Sequence, residues 1–157
     1  MRKQWKALFI SILIPLAVGG LSGYITKNAS AQFQSMVQPP LAPPAWLFPV
    51  VWTFLFILMG IASYLVWKDP HTTPDAKAAA LRIYGIQLAV NFFWTVLFFN
   101  LGLYFAAFVW LLLLWGLILI TFFRFRKISS TAGLLLLPYL LWVTFAGYLN
   151  LAIALLN

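Results

Sequence analysis

The chain has 157 residues, 64% of them hydrophobic and only 8% charged, with a mean hydropathy of +0.99; a soluble domain is about a quarter charged, so no soluble surface can be built from it. The net charge of +8 comes from ten Lys and Arg against two acids, but the basic residues stand at the ends of apolar runs and no RNP, zinc-finger or helix-turn-helix signature accompanies them, which argues against a nucleic-acid partner. There is no cysteine, which excludes disulfides, thiolate catalysis, iron–sulfur clusters and thiolate metal sites.

Crossing the hydrocarbon layer takes about 20 apolar residues in a helix. Five runs qualify, at approximately 7–25, 46–67, 81–99, 103–123 and 132–156. A span must satisfy its own backbone in lipid, and none of the runs shows the alternation of a barrel strand. The expectation is an all-α membrane protein, one domain over 1–157, forming a five-transmembrane-helix bundle.

Arg2, Lys3 and Lys6 precede the first run, and Ala29-Ser30-Ala31 follows it, which raises a cleavable signal peptide. The apolar stretch is longer than a signal core, and the small-residue triplet lies several polar residues beyond it, so the run is expected to stay as the first span. The connection at 26–45 ends in Gln38-Pro39-Pro40-Leu41-Ala42-Pro43-Pro44-Ala45-Trp46. Those prolines lack N–H groups and push their predecessors toward extended backbone, so a stiff, extended flap capping a site is expected.

The second run carries Trp52, Phe56, Met59 and Ser63 at helical spacing. The connection after it holds Asp69, His71 and Asp75, and no Asp, Glu or His lies inside any span. A proton-coupled pump or a metal-assisted hydrolase therefore lacks its parts. His71 has no partner at metal spacing and reads as a solvated loop residue, so no metal site is expected. In the third run Tyr84, Gln87, Asn91 and Trp94 fall on one helical face. In the fifth, Tyr139, Trp142, Ala146 and Asn150 form a similar stripe after Pro138, which is expected to kink the helix.

Three such stripes can converge on one cavity, and an aromatic-lined pocket with few polar anchors suits a flat hydrophobic ligand. Amides inside spans also tie helices together, and Trp near span ends forms interfacial belts. Trp5, Trp46, Trp67, Trp110 and Trp115 read as belt residues. For Trp52, Trp94 and Trp142, pocket and packing roles stand level on sequence alone. Nine of the ten basic residues share one side of the membrane and only Lys27 lies on the other. The N-terminus is expected to be cytoplasmic and the C-terminus on the far side, in a bacterial plasma membrane. No inverted internal repeat of the transporter kind is detectable.

Pro39 to Trp52 reads PPLAPPAWLFPVVW and is continued by Met59-Gly60 and Ala62 to Trp67. Gln87-Leu88-Ala89-Val90-Asn91-Phe92-Phe93-Trp94 precedes Phe98-Phe99, and Leu137-Pro138-Tyr139-Leu140-Leu141-Trp142 precedes Phe145-Ala146 and Leu149-Asn150. In order and over essentially the whole chain, these stretches resemble the TspO/MBR family of tryptophan-rich sensory and translocator proteins, the peripheral-type benzodiazepine receptor-like proteins.

That resemblance implies a receptor with a pocket inside the bundle, capped by the first connection, which binds porphyrins such as protoporphyrin IX or haem-like tetrapyrroles and needs no cofactor. It implies ligand contacts at Trp52, Gln87, Asn91, Trp94, Trp142 and Ala146, and from the cap at Phe33, Leu41, Pro43 and Pro44. It also raises light- and oxygen-dependent porphyrin degradation, with Trp52 and Trp142 as the redox-active candidates, passive tetrapyrrole transport, and a homodimer. Leu41 stands where the family usually has Trp, Gln38 where it has Lys, and Phe33 where it has Tyr. The sterol-recognition stretch of animal members is absent after Asn150, and a small-xxx-small pairing is missing on the third run, where Arg82 and Ile86 stand.

Overall fold

The computed structural model describes residues 2–157. Its helices are α1 (Arg2–Ile25), α2 (Ala29–Ser35), α3 (Leu47–Lys68), α4 (Pro74–Thr95, prolonged by a π-helical turn at Val96–Asn100), α5 (Tyr104–Ile128) and α6 (Ser130–Leu156). Among the described residues there is no strand, and five helices, all but α2, are long and apolar enough to cross a membrane. The chain is a multi-pass integral membrane protein of the all-α class.

The helices overrun the apolar stretches where capping chemistry dictates it. α4 begins at Pro74 rather than at 81, because Thr73 Oγ1 accepts from the Ala76 N–H at 3.3 Å, Pro74 takes the first helical position, and Asp75 faces the positive helix end. α6 begins at Ser130 because Ser129 Oγ accepts from the Ala132 N–H at 3.2 Å. At the end of α3, Lys77 Nζ donates to the carbonyls of Trp67 (2.8 Å) and Asp69 (2.7 Å), supplying donors that the last helical turn lacks. Gly102, with φ of 63°, makes the left-handed turn between α4 and α5 that a side chain would strain.

The spans form a ring in the order α1, α3, α6, α5, α4, closed by a lighter seam between α4 and α1. In lipid there is no hydrophobic force between helices, so close packing and polar ties must hold them together. The half of the bundle holding the α3–α4 and α5–α6 connections is solid: Met59, Ala62, Val66, Phe125 and Ala132 have no exposed surface. The alanines let neighbouring backbones approach.

α1 is peripheral, with Pro15 its one buried residue among those described. Pro15 has no N–H to offer the Ser11 carbonyl one turn earlier. Gly60 of α3 sits against that spot, where a Cβ would lie 2.5 Å from Ile12 Cα and 2.7 Å from the Ser11 oxygen. The absence of a side chain at Gly60 is what lets α1 dock.

Trp5, Trp46 and Trp67 are exposed, in keeping with belt positions. Trp110 and Trp115 differ: their Nε1–H groups donate to the Val90 carbonyl (2.7 Å) and to Thr144 Oγ1 (2.9 Å), tying α5 to α4 and to α6. Apolar composition hides such ties, because an indole N–H in lipid seeks whichever acceptor the neighbouring helix offers.

Candidate functional site

At the end opposite the solid half, the bundle opens into a cavity of about 450 Å³ between α1, α2, α3, α4 with its π turn, and α6. That is room for one drug-sized molecule. The three sequence stripes divide in register. Their members nearer the cavity (Trp52 and Phe56; Asn91 and Trp94; Trp142, Ala146 and Asn150) line it, whereas Met59, Ser63, Tyr84, Gln87 and Tyr139 lie in the solid half.

The walls are aromatic. Phe33 of α2 meets Phe48 edge-on at 4.9 Å, Phe48 meets Trp142 at 5.9 Å, Trp52 stacks on Phe56 at 5.6 Å, and Trp94 stacks on Phe98 at 5.4 Å. Such contacts between rings leave flat faces in fixed orientations.

The floor is a neutral hydrogen-bond network. Asn91 Nδ2 donates to Tyr139 Oη at 2.7 Å, and that hydroxyl donates to Gln87 Oε1 at 2.7 Å. Gln87 Nε2 makes a weak contact to Met59 Sδ at 3.9 Å. On the adjoining wall, Trp94 Nε1 donates to Asn150 Oδ1 at 3.0 Å, and Asn150 Nδ2 donates to the Tyr104 carbonyl at 2.8 Å. These ties fix Asn91 and Trp94. Gln87 is a support beneath Asn91 and does not reach the cavity. Trp142 is different: its Nε1 is buried and has no partner among the described residues. A donor left so costs about 1–3 kcal/mol.

The 26–45 connection is not the wholly extended flap expected from its prolines, because α2 occupies its first half. The Gln38–Ala45 stretch is non-helical, as its prolines require. Phe33 is buried at the cavity. Leu41, Pro43 and Pro44 do not line it, and Leu41 is 82% exposed with φ of 70°, a conformation that costs a side-chain-bearing residue about 1–2 kcal/mol.

The connection is fastened to α6 nonetheless. Asn157 Oδ1 accepts from the Val37 N–H at 3.1 Å while its Nδ2 donates to the Val37 carbonyl at 3.0 Å, and Tyr148 Oη donates to the Pro40 carbonyl at 2.6 Å.

One wall went unnoticed in the sequence. Leu16, Gly19, Gly20 and Gly23 of α1 face the cavity, and their i, i+3, i+4, i+7 spacing marks a single helical face. A Cβ at Gly20 or Gly23 would meet nothing within 4 Å, so these glycines border open space.

A family model described as the TspO/MBR family matches residues 11–156. The chain is 41% identical to the tryptophan-rich protein TspO of Chlorobaculum tepidum, with 100% of this chain and 99% of that protein aligned. It is 36% identical to the translocator protein of Ovis aries (96% and 89% aligned) and 31% identical to the tryptophan-rich sensory protein of Cereibacter sphaeroides (100% and 95% aligned). With five spans around an aromatic cavity and likeness running the length of the chain, this protein belongs to the TspO/MBR family.

Proposed function

We propose that this protein is a membrane receptor or sensor that binds a flat, hydrophobic ligand of the tetrapyrrole class in the cavity beneath the 26–45 connection. The observation that carries the reading is the cavity itself: about 450 Å³, walled by Trp52, Trp94 and Trp142, with Asn91 held at its floor and the Trp142 N–H without a partner among the described residues. Aromatic faces take a planar body, and two neutral polar groups orient it without requiring charge inside the membrane. The names of the relatives, a sensory protein and a translocator protein, agree with a receptor role.

Nine basic residues at one end of the bundle and Lys27 alone at the other support an N-terminus on the cytoplasmic side of a bacterial plasma membrane and a cavity mouth on the far side.

The test is titration of the purified protein in neutral detergent with protoporphyrin IX in the dark, followed by tryptophan quenching. Saturable quenching is expected, with affinity reduced about tenfold in Trp142→Phe, which keeps a ring but removes the donor. Equal affinities would refute the role given to Trp142, and failure to saturate would refute the reading as a whole. Illumination of the same sample in air addresses degradation of the ligand: a new absorption band that disappears in Trp52→Phe or Trp142→Phe would make the protein an enzyme.

A further inference from the structure

Among the described residues lining the cavity, Lys27 alone carries a charge. It follows the last turn of α1 and stands at the rim of a pocket whose other polar groups are hydroxyls, carboxamides and indole N–H groups. The chain has only two acidic side chains, Asp69 and Asp75, both in or beside the α3–α4 connection at the opposite end of the bundle. No acidic side chain of the protein can therefore serve Lys27 as a counter-ion.

The ammonium does have a neighbour: Lys27 Nζ lies 5.6 Å from the centroid of the Tyr24 ring. A cation over a ring face is held in position, but its charge is not neutralised. The cavity is thus polarised along its depth, with neutral aromatic walls, a neutral hydrogen-bonded floor and, among the described residues, a single positive charge at its mouth.

Resting on the tetrapyrrole reading above, we propose that Lys27 is the specificity-determining residue of this cavity, pairing at the rim with an anionic group carried on the edge of a planar apolar ligand. The chemistry needed is an acid on a flat body, a carboxylate above all. A phosphate on a lipid headgroup offers the same charge to a lysine at the membrane boundary, and the experiment must separate the two sources.

Protoporphyrin IX and its dimethyl ester share one planar body and differ in carrying acids or not. Both are titrated against the protein in neutral detergent free of phospholipid. The ratio of acid to ester affinity is expected to be about fivefold in the wild type, the scale of an exposed ion pair. It is expected to fall to about one in Lys27→Gln and to be kept in Lys27→Arg. Lys127→Gln, at the other end of the bundle, removes the same net charge and is expected to keep the ratio.

A wild-type ratio of one would assign Lys27 to lipid phosphate and overturn the proposal. So would a ratio in Lys27→Gln equal to the wild type, or an equal loss in Lys127→Gln. Failure of both acid and ester to bind would instead bring down the tetrapyrrole reading, and this proposal with it.

Discussion

Replacing Gly60 with alanine tests whether the docking of α1 depends on that one missing side chain. The new methyl would stand 2.5 Å from Ile12 Cα and 2.7 Å from the Ser11 carbonyl oxygen, both backbone atoms that no rotamer change can move. Carbon–carbon contacts are at rest at about 3.5–4.0 Å, so α1 must retreat by about 1 Å, and a gap of that size forfeits a quarter to a half of each dispersion contact along the interface. Overpacking of this kind costs about 1–3 kcal/mol, against about 1 kcal/mol of helix propensity that alanine gains over glycine.

The net loss is about 0–2 kcal/mol, read as a fall of up to about 8 °C in the melting temperature in neutral detergent. Gly85→Ala and Gly116→Ala are the controls. A Cβ at either meets nothing within 4 Å, so both keep the propensity gain and should melt at or above the wild type. Because Leu16 and Gly19 of α1 form a cavity wall, Gly60→Ala should also weaken protoporphyrin IX binding. A Gly60→Ala protein that melts with the two controls would refute the reasoning.

Tyr139→Phe removes the hydroxyl that joins Asn91 to Gln87 and leaves Gln87 Oε1 in the core without its donor; a loss of about 1–3 kcal/mol is expected in thermal unfolding, with weaker ligand binding as Asn91 loosens, and an unchanged melting temperature would contradict it. Asn157→Ala combined with Tyr148→Phe releases the 37–40 stretch from α6; hydrogen exchange at the Val37 amide should accelerate about tenfold or more, and unaltered protection would mean that other contacts hold the connection down. In the α3–α4 connection the hydroxyl of Thr72, assisted by the His71 N–H, holds the Asp69 carboxyl below its usual range. The stabilisation that goes with a lowered carboxyl pKa is present at neutral pH and is lost as pH falls through that lowered value. Thr72→Val should therefore raise the Asp69 pKa toward the ordinary carboxylate range in an NMR titration, and an unmoved titration would dismiss Thr72 as the cause.

The five spans were legible because lipid imposes one composition over about 20 residues. Their ends were not. The Asp75 to Leu81 stretch of α4 carries charge and small residues that hydropathy discards, yet Thr73 and Pro74 start the helix there by capping. Within the site, the stripes on α3, α4 and α6 were visible from spacing, since each depends on one helix alone. What spacing could not give was depth: Asn91 and Gln87 share a face, and only the Tyr139 hydroxyl reaching across from α6 decides that one borders the cavity while the other lies beneath its floor. The α1 wall escaped notice because glycines are recognised by the room they leave, which belongs to the neighbours. α2 was masked by the prolines that follow it.

The light seam between α1 and α4 makes α1 the least committed member of the ring. Since one face of α1 borders the cavity, whatever fills that space lends it contacts which the empty protein does not supply. Occupancy and the attachment of α1 are then two readings of a single equilibrium, each raising the other by the same free energy. Backbone amide protection along residues 16–23, followed as ligand is added, would report binding from the outermost helix of the bundle, without reference to any property of the ligand itself.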